Sequence, residues 1–498
     1  MSLIEKKELN KMNYQKIKTL KDLKKSGYTQ LTIKDELRKN LIHNIENEIN
    51  IFQEIHGYQE TVIPELERAI LSRHNINLLG LRGQAKTKIA RLLIQLLDEY
   101  IPFVEGSEIY DDPFSPLSRF GIEKIKELGD HTPISWLHRS DRFAEKLATP
   151  DVTVADLIGD IDPIKAANLK LSYADDRVIH YGMIPRANRC IFVINELPDL
   201  QARIQVSLFN ILQEGDMQIR GFKLRLNLDI QFIFTANPED YTNRGSIVTP
   251  LKDRIGSQIL THYPRDLEIA KKITFQEISS SYSQKNNIHI PELAKTLLEQ
   301  ISFEARKSEF VDEKSGVSAR LSITALENLL SRAEQRLIRS GARNTTLRLS
   351  DFNSIIPSIT GKIELVYEGE QEGAEFVANQ LIENAVKTLF NQLFPKIEKL
   401  EKKNIESPYD ELVNWFFNES GFEILNDILD EDYQNKLMSI GPLNNLVRKY
   451  QPETPKKDLS FLKEFVLWGL VQFKKLSKVQ YNQGIQIQDP YGNYINNI

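Results

Sequence analysis

One short segment holds the residue types that bind a nucleotide phosphate, in the spacing that such binding requires. The segment consists of Gly80, Leu81, Arg82, Gly83, Gln84, Ala85, Lys86 and Thr87. In a loop of this kind the backbone N–H groups converge on an anion, while the lysine reaches the β- and γ-phosphates. The hydroxyl of Thr87 is then placed to ligate Mg²⁺. The segment therefore predicts a phosphate-binding loop for ATP, whose contacts are Gly80, Gly83, Gln84, Ala85, Lys86 and Thr87.

Ala85 is the one departure from the usual loop, G-x-x-x-x-G-K-[ST], because it stands where the second glycine belongs. Alanine avoids the left-handed backbone region that glycine accepts. We therefore expect Ala85 to follow the loop only with a negative φ. The alternative is an ordinary strand–turn–helix that carries a lysine on its surface.

The elements around the loop have the order strand, loop, helix. A mostly apolar run from Ile76 to Leu79 comes before Gly80 and predicts a buried strand. After Thr87, side chains at three- and four-residue spacing predict one face of a helix: Ile89, Leu92, Leu93, Leu96, Leu97 and Tyr100. This order places the loop between the end of a strand and the start of a helix, as phosphate binding requires.

A second predicted strand ends in two polar residues that could take part in hydrolysis. Cys190 to Ile194 are apolar and predict a buried parallel strand with Asn195 and Glu196 at its carboxyl end. A P-loop ATPase needs there a carboxylate in the Mg²⁺ shell and another that polarises the attacking water. Glu196 suits the second task. Asn195, which stands where aspartate is expected, can accept a bond from a Mg²⁺-bound water but brings no charge. The alternative is an edge strand that ends in a turn.

Three further polar residues are candidates for the same site. Residues 229–235 predict the next buried strand, and the amide of Asn237 beyond it could orient the attacking water, although asparagine before proline also begins turns. Arg254, two residues before a glycine, is predicted in a loop, either reaching a phosphate or solvated. Arg320 comes just before a helix predicted to begin at Ser322, and a phosphate contact and a solvated charge fit it equally well.

Composition excludes several classes of protein. The chain has 498 residues, of which 27% are charged and 41% hydrophobic, as is ordinary for a globular protein. The formal net charge of −5 gives no support for binding to nucleic acid or to a membrane surface. Cys190 is the single cysteine, which excludes an internal disulfide and a cysteine-based zinc cluster. No signal peptide and no membrane span are expected, so the predicted location is the cytoplasm.

Changes in composition along the chain predict four parts and an α/β fold class. Residues 1–50 form a basic, loosely ordered or helical leader, and residues 51–265 form a nucleotide-binding core with a parallel sheet flanked by helices. Residues 266–360 are predicted as a helical lid, and residues 361–498 as an α-helical C-terminal domain with a Gln-, Asn- and Tyr-rich tail. Prolines within residues 100–149 indicate an insertion before the second core strand, whose position remains open.

Three local patterns predict smaller features. Residues 57–60 interrupt a helical pattern and predict a loop between two helices. Short alternating runs around Gly221 predict a β-hairpin, and Thr153 with Asp156 predicts a helix-initiating capping box. Residues 461–476 show the spacing of an amphipathic helix.

Taken in this order, the motifs resemble the AAA+ ATPases, specifically the branch that holds the MoxR proteins and the ATPase subunit of magnesium chelatase. The resemblance covers roughly Gly57 to Ile359. The run from Gly83 to Thr87 looks like the MoxR loop, in which alanine before the lysine is usual. Residues 184–189 are similar to the chelatase segment that leads into its acidic strand.

The resemblance implies further roles for residues of this chain. Asn237 would be sensor 1, Arg254 the arginine finger and Arg320 sensor 2. The stretch from Leu157 to Ile184 would be a helix-2 insert, and the stretch from Met217 to Leu226 a pre-sensor hairpin. Family members form hexameric rings with ATP at the subunit interfaces, so a homo-oligomer is implied.

The function that the resemblance implies is ATP hydrolysis in a ring that remodels a protein partner or assists metal insertion. The branch commonly works with a separately encoded von Willebrand A protein. Because the family carries aspartate at the position of Asn195, the resemblance also implies a weaker hold on Mg²⁺ here. One alternative is a hydrolysis-impaired ATP-binding scaffold that docks partners. Another is a σ54-type transcription regulator, which the absence of a G-A-F-T-G-A loop and of a helix-turn-helix pattern disfavours.

Overall fold

The computed structural model describes residues 14–172, 175–214, 216–217, 226–238, 246–278, 282–397, 407–418, 422–481 and 484–490. The chain divides into two compact units, Met1–His262 and Tyr263–Ile498. Among the described residues, every helix is too short or too polar to cross a membrane.

The first unit is built on a five-stranded parallel sheet. In chain order its strands are β1 (Ile76–Leu79), β2 (Phe143–Leu147), β3 (Cys190–Asn195), β4 (Ile230–Ala236) and β5 (Ser257–Leu260). In space they follow the order β5, β1, β4, β3, β2. Since all neighbouring pairs are parallel, the carboxyl ends of the strands meet at one edge. The predicted α/β fold class with a parallel sheet is confirmed, and β5 is a strand that the sequence did not predict.

Both faces of the sheet are covered, and this explains the nearly continuous apolar run in β3. Successive side chains of a strand point to opposite faces. Ile191 and Val193 belong to the core on one face, whereas Phe192 and Ile194 belong to the core on the other. The α-helices that contribute to the first of these cores are Ile33–Glu46, Val62–Leu71 and Lys86–Leu92.

The remaining elements of the first unit surround the sheet. Its further α-helices are Leu20–Lys25, Arg119–Leu128, Val154–Leu157, Pro163–Leu169, Met183–Arg186, Ala202–Glu214 and Thr249–Arg254. Its 3-10 helices are Tyr14–Lys16, Leu93–Leu96, Gly129–His131, Arg139–Asp141, Asp176–Val178 and Leu197–Asp199. Its antiparallel strand pairs are Tyr100–Val104 with Ile134–His138, Gly159–Ile161 with Ile179–Tyr181, and Asp216–Met217 with Leu226–Asn227.

Several local features of the first unit agree with the sequence. The capping box of Thr153 and Asp156 is present, and residues 57–60 lie between two helices. An antiparallel strand pair and a helix fill the insertion before β2. The short pair that ends at Met217 and resumes at Leu226 fits the predicted hairpin. The turn with Gly221 lies outside the described residues.

The described part of residues 1–50 agrees with the helical alternative of the predicted leader and not with the loosely ordered one, because it forms the helices Leu20–Lys25 and Ile33–Glu46. Leu20 and Leu23 are buried, and so are Leu37 and Leu41. Leu20 and Leu23 lie on one face of the helix Leu20–Lys25. Leu37 and Leu41 lie on one face of the helix Ile33–Glu46 and belong to the core over β1 and β3. Lys21, Lys24, Lys25 and Lys39 are exposed and belong to the solvated side of these packed helices.

The second unit is mainly helical. Its α-helices are Leu267–Glu277, Tyr282–Asn287, Glu292–Ala305, Arg320–Ser340, Ile356–Thr360, Tyr367–Glu372, Ala374–Leu393, Asp410–Asn418, Asp430–Met438, Gly441–Tyr450 and Leu459–Gln472, with a 3-10 helix at Leu349–Ile355. Ile288–His289 pairs in parallel with Thr345–Thr346. An antiparallel sheet has the strand order Phe422–Leu425, Gly484–Gln488, Ser477–Tyr481.

The second unit has one continuous hydrophobic core, which extends from Ile288 to Ile487. The helix Leu459–Gln472 lies at its centre, since every residue from 460 to 470 is buried. The amphipathic character predicted for residues 461–476 is therefore wrong: the buried polar side chain of Glu464 is satisfied by the backbone N–H groups of Leu349 and Ser350. The tail predicted for residues 479–498 is also wrong where the structure describes the strands Ser477–Tyr481 and Gly484–Gln488.

Candidate functional site

The loop after β1 is compact, with one close backbone approach and two residues of positive φ. At Gly80 an added Cβ would collide with Thr261 Oγ1 and Gln84 Oε1, so a larger residue would displace the loop. Gly83 has a φ of 75° and Ala85 a φ of 57°. The expectation of a negative φ at Ala85 is therefore wrong. The left-handed conformation at Ala85 turns the chain into the helix Lys86–Leu92, and holding alanine there costs about 1–2 kcal/mol.

Side chains from outside the loop hold it in this shape. The Tyr58 hydroxyl donates to the carbonyl of Gln84 at 3.0 Å and to the carbonyl of His262 at 2.8 Å. The Thr261 hydroxyl donates to Gln84 Oε1 at 2.7 Å. Tyr58, Gln84 and Thr261 are all buried. The residues directly after strand β5 and the loop before the helix Val62–Leu71 thus fix the backbone on which a phosphate would rest.

Lys86 connects the loop to the end of β4. Its side chain is buried, and its Nζ donates to the carbonyl of Gly80, to the carbonyl of Leu81 at 3.2 Å and to Asn237 Oδ1 at 2.6 Å. The ammonium group thus lies against the loop's own carbonyl oxygens. An anion bound in the loop would compete for the same three donor hydrogens.

Asn237 and Glu196 meet at the carboxyl edge of the sheet, as the sequence predicted for residues that follow neighbouring strands. Asn237 Nδ2 donates to Glu196 Oε2 at 2.9 Å. Since Asn237 Oδ1 accepts from Lys86, one amide joins the ammonium group to the carboxylate. Glu196 itself has a φ of 55°, a left-handed conformation with which the chain leaves β3 and enters the 3-10 helix Leu197–Asp199.

Asn195 belongs to a second chain of hydrogen bonds, which runs across β4, β3 and β2. The Thr235 hydroxyl donates to Asn195 Oδ1 at 3.1 Å, and Asn195 Nδ2 donates to Glu145 Oε1 at 2.5 Å. Arg91, on the helix that follows the loop, donates to Glu145 Oε2 at 2.8 Å. The backbone N–H of Glu196 donates to Thr235 Oγ1 at 3.1 Å, which joins the two chains.

The donor set suits Mg²⁺ when a nucleotide supplies part of it. The hydroxyl of Thr87 and the amide oxygen of Asn195 are hard oxygen ligands of the kind that this ion prefers. Within the described ranges, no group of three or more His, Cys, Asp or Glu side chains could hold a metal by itself. Mg²⁺ commonly binds with few protein ligands, through substrate phosphates and waters.

Cys190 has no part in this chemistry. It is buried at the opposite end of β3, and burial raises the pKa of its thiol to about 12. A thiol that stays protonated at neutral pH is neither a nucleophile nor a metal ligand.

Arg254 lies in a helix, so the predicted loop position is wrong. It is the last residue of the helix Thr249–Arg254. Its guanidinium pairs with Asp253 and lies 5.1 Å from the centre of the Phe209 ring. Neither of these residues belongs to the Lys86–Asn237–Glu196 network. The arginine-finger role therefore stays a prediction that depends on a neighbouring subunit.

Arg320 belongs to the second unit, and its role as sensor 2 also stays a prediction. The helix predicted to begin at Ser322 begins at Arg320 itself, whose side chain is exposed. This helix ends at Ser340, as predicted, and Gly341 after it has a φ of 67°.

The sequence analysis missed four residues that shape the site: Tyr58, Glu145, Thr235 and Thr261. Thr235 was seen as the end of a strand, and Tyr58 as part of a loop. Glu145 lies two residues before the end of β2, on the face that Asn195 shares, but the sequence did not show that β2 is the neighbour of β3. Strand β2 is also only half-buried and gives a weak apolar signal.

Three solved structures illustrate what the chain is similar to. NtrX from Brucella abortus in complex with ADP matches at 13% identity over 80% of this chain and 72% of that chain, with a TM-score of 0.40. Hsp104 with ATPγS and FITC casein matches at 13% identity over 66% and 53%, with a TM-score of 0.38. The complex of magnesium chelatase subunits BchI and BchD matches at 18% identity over 64% and 98%, with a TM-score of 0.33. At these TM-scores the likeness says nothing about what this chain binds.

A family model gives a more specific match to part of the chain. The matched stretch, residues 134–255, contains Glu145, Asn195, Glu196 and Asn237 and begins after the phosphate loop. It includes strands β2, β3 and β4 and ends one residue after Arg254. Over these residues, the chain is similar to the AAA domain of the dynein-related subfamily.

Proposed function

We propose that this chain binds ATP together with Mg²⁺ in the loop from Gly80 to Thr87 and hydrolyses it to ADP and phosphate. The observation that carries the proposal is the link from Lys86 through Asn237 to Glu196. A phosphate-binding lysine, a polar amide and a carboxylate at the ends of β1, β4 and β3 are the groups that ATP hydrolysis requires at one place.

Each residue has a separate task in this mechanism. Lys86 turns from the carbonyl of Gly80 to the β- and γ-phosphates, for which its positive charge is the stronger attraction. Asn237 then keeps its bond to Glu196 and orients the attacking water. Glu196 accepts a proton from that water. Thr87 and Asn195 would hold Mg²⁺, which when bound would neutralise charge on the phosphate oxygens.

The assembly and its biological role are the finer part of the proposal. We place the chain in the MoxR and magnesium-chelatase branch of the AAA+ ATPases, as a homo-hexameric ring in the cytoplasm. Hydrolysis would drive remodelling of a protein partner or assist metal insertion, together with a separately encoded von Willebrand A protein. The resemblance of the loop from Gly83 to Thr87 and of residues 184–189 supports this placement.

Loss of the Lys86 ammonium tests the site directly. Lys86→Ala should abolish ATP binding measured by isothermal titration calorimetry, because the loop then lacks its phosphate cation. Lys88→Ala is the matched control: Lys88 lies in the same helix and pairs with Glu54 at 3.5 Å, outside the loop. If Lys86→Ala binds ATP as tightly as Lys88→Ala, the loop does not hold the nucleotide.

A hydrolysis-impaired scaffold is the second candidate, because Asn195 brings no charge to the Mg²⁺ shell. Steady-state ATPase activity with saturating Mg²⁺ separates the two. Activity that disappears in Glu196→Gln while ATP binding persists supports the hydrolase. Binding without any turnover in the wild-type chain supports the scaffold.

A further inference from the structure

Asn195 carries no charge, but the carboxylate of Glu145 beside it could supply one. Glu145 Oε1 lies 2.5 Å from Asn195 Nδ2, so a carboxylate sits one hydrogen bond away from the position where the related ATPases carry their aspartate. Asn195 is buried and the side chain of Glu145 is only 25% exposed. A charge in such surroundings acts over a longer range than one in bulk water.

The contacts of Asn195 fix which way its amide points. A carboxylate can only accept hydrogen bonds, so the NH₂ group must face Glu145. The amide oxygen must then face the Thr235 hydroxyl, which donates to it at 3.1 Å. A carbonyl oxygen has two lone pairs, and one of them remains for a further donor. Glu145 thereby sets the orientation of the Asn195 oxygen and polarises the amide toward it.

Arg91 holds the other oxygen of Glu145 without cancelling its charge at Asn195. Its guanidinium donates to Oε2, whereas Asn195 donates to Oε1. The side chain of Arg91 is 62% exposed, so solvent screens its positive charge more strongly than the charge of Glu145. The alternative is that Arg91 and Glu145 form a surface ion pair whose contact with Asn195 has no function.

We infer that Glu145 and Asn195 act as one anionic unit toward the nucleotide's Mg²⁺, with Glu145 as a positioning residue that supplies the charge through the Asn195 amide. This inference rests on the proposed function, since it concerns the metal that accompanies ATP. It goes beyond that function in assigning the negative charge that faces the metal shell to Glu145 on β2, in addition to the carboxylate of Glu196 after β3.

The test measures how strongly Mg²⁺ strengthens ADP binding, without any turnover. ADP affinity is determined by calorimetry in Mg²⁺ and again in EDTA, and the ratio of the two affinities reports the hold on the metal. Glu145→Gln should lower this ratio about five- to tenfold, because a bond to a charged group is replaced by a neutral one. Its affinity for ADP in EDTA should change little.

Moving the charge should restore the ratio. In the double variant Asn195→Asp with Glu145→Gln, the glutamine NH₂ donates to the new aspartate, so the hydrogen bond remains with donor and acceptor exchanged. We expect the ratio to return to within about twofold of wild type. A ratio as low as that of Glu145→Gln alone would overturn the inference.

Arg91→Gln is the control for the ion pair. It removes the partner of Glu145 but leaves the carboxylate charged beside Asn195, so the ratio should remain at the wild-type value. If it falls as far as in Glu145→Gln, the effect belongs to the ion pair and the inference fails. An unchanged ratio in Glu145→Gln also overturns it.

Two further arms keep the result decisive. If Glu145→Gln does not fold, as judged by circular dichroism, Glu145→Ala takes its place: it removes the carboxylate beside Asn195 and leaves Asn195 itself unchanged, so it should lower the ratio at least as far. An unchanged ratio in folded Glu145→Ala then rejects the inference. Failure of the wild-type chain to bind ADP at all would instead reject the proposed function.

Discussion

At the scale of single residues, the most informative position is Ala85. Its φ of 57° lies in the left-handed region, which glycine adopts without steric cost and alanine does not. Ala85→Gly should raise the free energy of unfolding by about 1 kcal/mol, because glycine adopts this conformation without steric strain. Urea denaturation of the first unit measures it. Ala90→Gly, in the interior of the helix Lys86–Leu92, should lower the same quantity. Two changes of the same sign would contradict the loop geometry.

The sequence was sufficient for part of the site and insufficient for the rest. Lys86, Glu196 and Asn237 could be predicted to meet because each follows or ends a strand of one parallel sheet, and the carboxyl ends of such strands share an edge. Glu145 could not, because its contact with Asn195 depends on which strands are neighbours. Strand order is a property of the whole sheet that no local pattern encodes.

At the scale of elements, Asp229 joins the start of a helix to the start of β4. Its Oδ2 accepts the backbone N–H of Ile33 at 2.8 Å, at the first residue of the helix Ile33–Glu46. Burial, against the opposing charge of Arg189, raises the pKa of Asp229 to about 6. The folded state thus holds the proton more tightly than the unfolded state, in which the pKa is near its ordinary value of about 4.

The pH dependence of stability follows from this shift. The stabilising contribution of protonated Asp229 is fully present below about pH 4 and is lost as the pH rises through about 6. Asp229→Asn keeps an oxygen for Ile33 and never ionises. It should match wild type near pH 4 and exceed it above pH 6 by up to about 3 kcal/mol, in urea unfolding at a series of pH values. A difference that does not vary with pH would refute the role of the carboxyl.

Elements were predictable where their local pattern was long and regular. The strand from Cys190 and the end of the helix before Gly341 were both read correctly from the sequence. The short strands β2 and β5 were not, since four or five residues of mixed burial carry little periodicity. Arg320 was placed outside its helix because an N-terminal arginine gives no capping signal.

At the scale of the whole molecule, the shared core of the second unit predicts how it can be divided. Phe390 and Phe465 are both buried in it, with ring centres 6.4 Å apart. A fragment of residues 263–498 should therefore unfold cooperatively on heating, followed by circular dichroism. Residues 266–360, the predicted lid alone, should not, because most of the core is then missing. Cooperative melting of the shorter fragment would show that residue 360 is a true domain boundary.

Ring assembly is tested by mixing two inactive variants. An arginine finger acts on the nucleotide of a neighbouring subunit and contributes roughly 10³–10⁵ in rate. Arg254→Ala should thus bind ATP but hydrolyse it poorly, and Lys86→Ala should do neither. A mixture should regain activity, since an intact loop can face an intact finger. A mixture as inactive as its parents would exclude this role for Arg254.

The central place of the helix Leu459–Gln472 also has a consequence for protein synthesis. A ribosome makes the chain from its amino end, so the first unit can complete its sheet while the second is still emerging. The second unit has no such freedom, because the helix at the centre of its core is translated after nearly all the residues that surround it. Until that helix is made, Phe390 lacks its contact with Phe465. We therefore expect the second unit to depend on chaperones during synthesis more than the first.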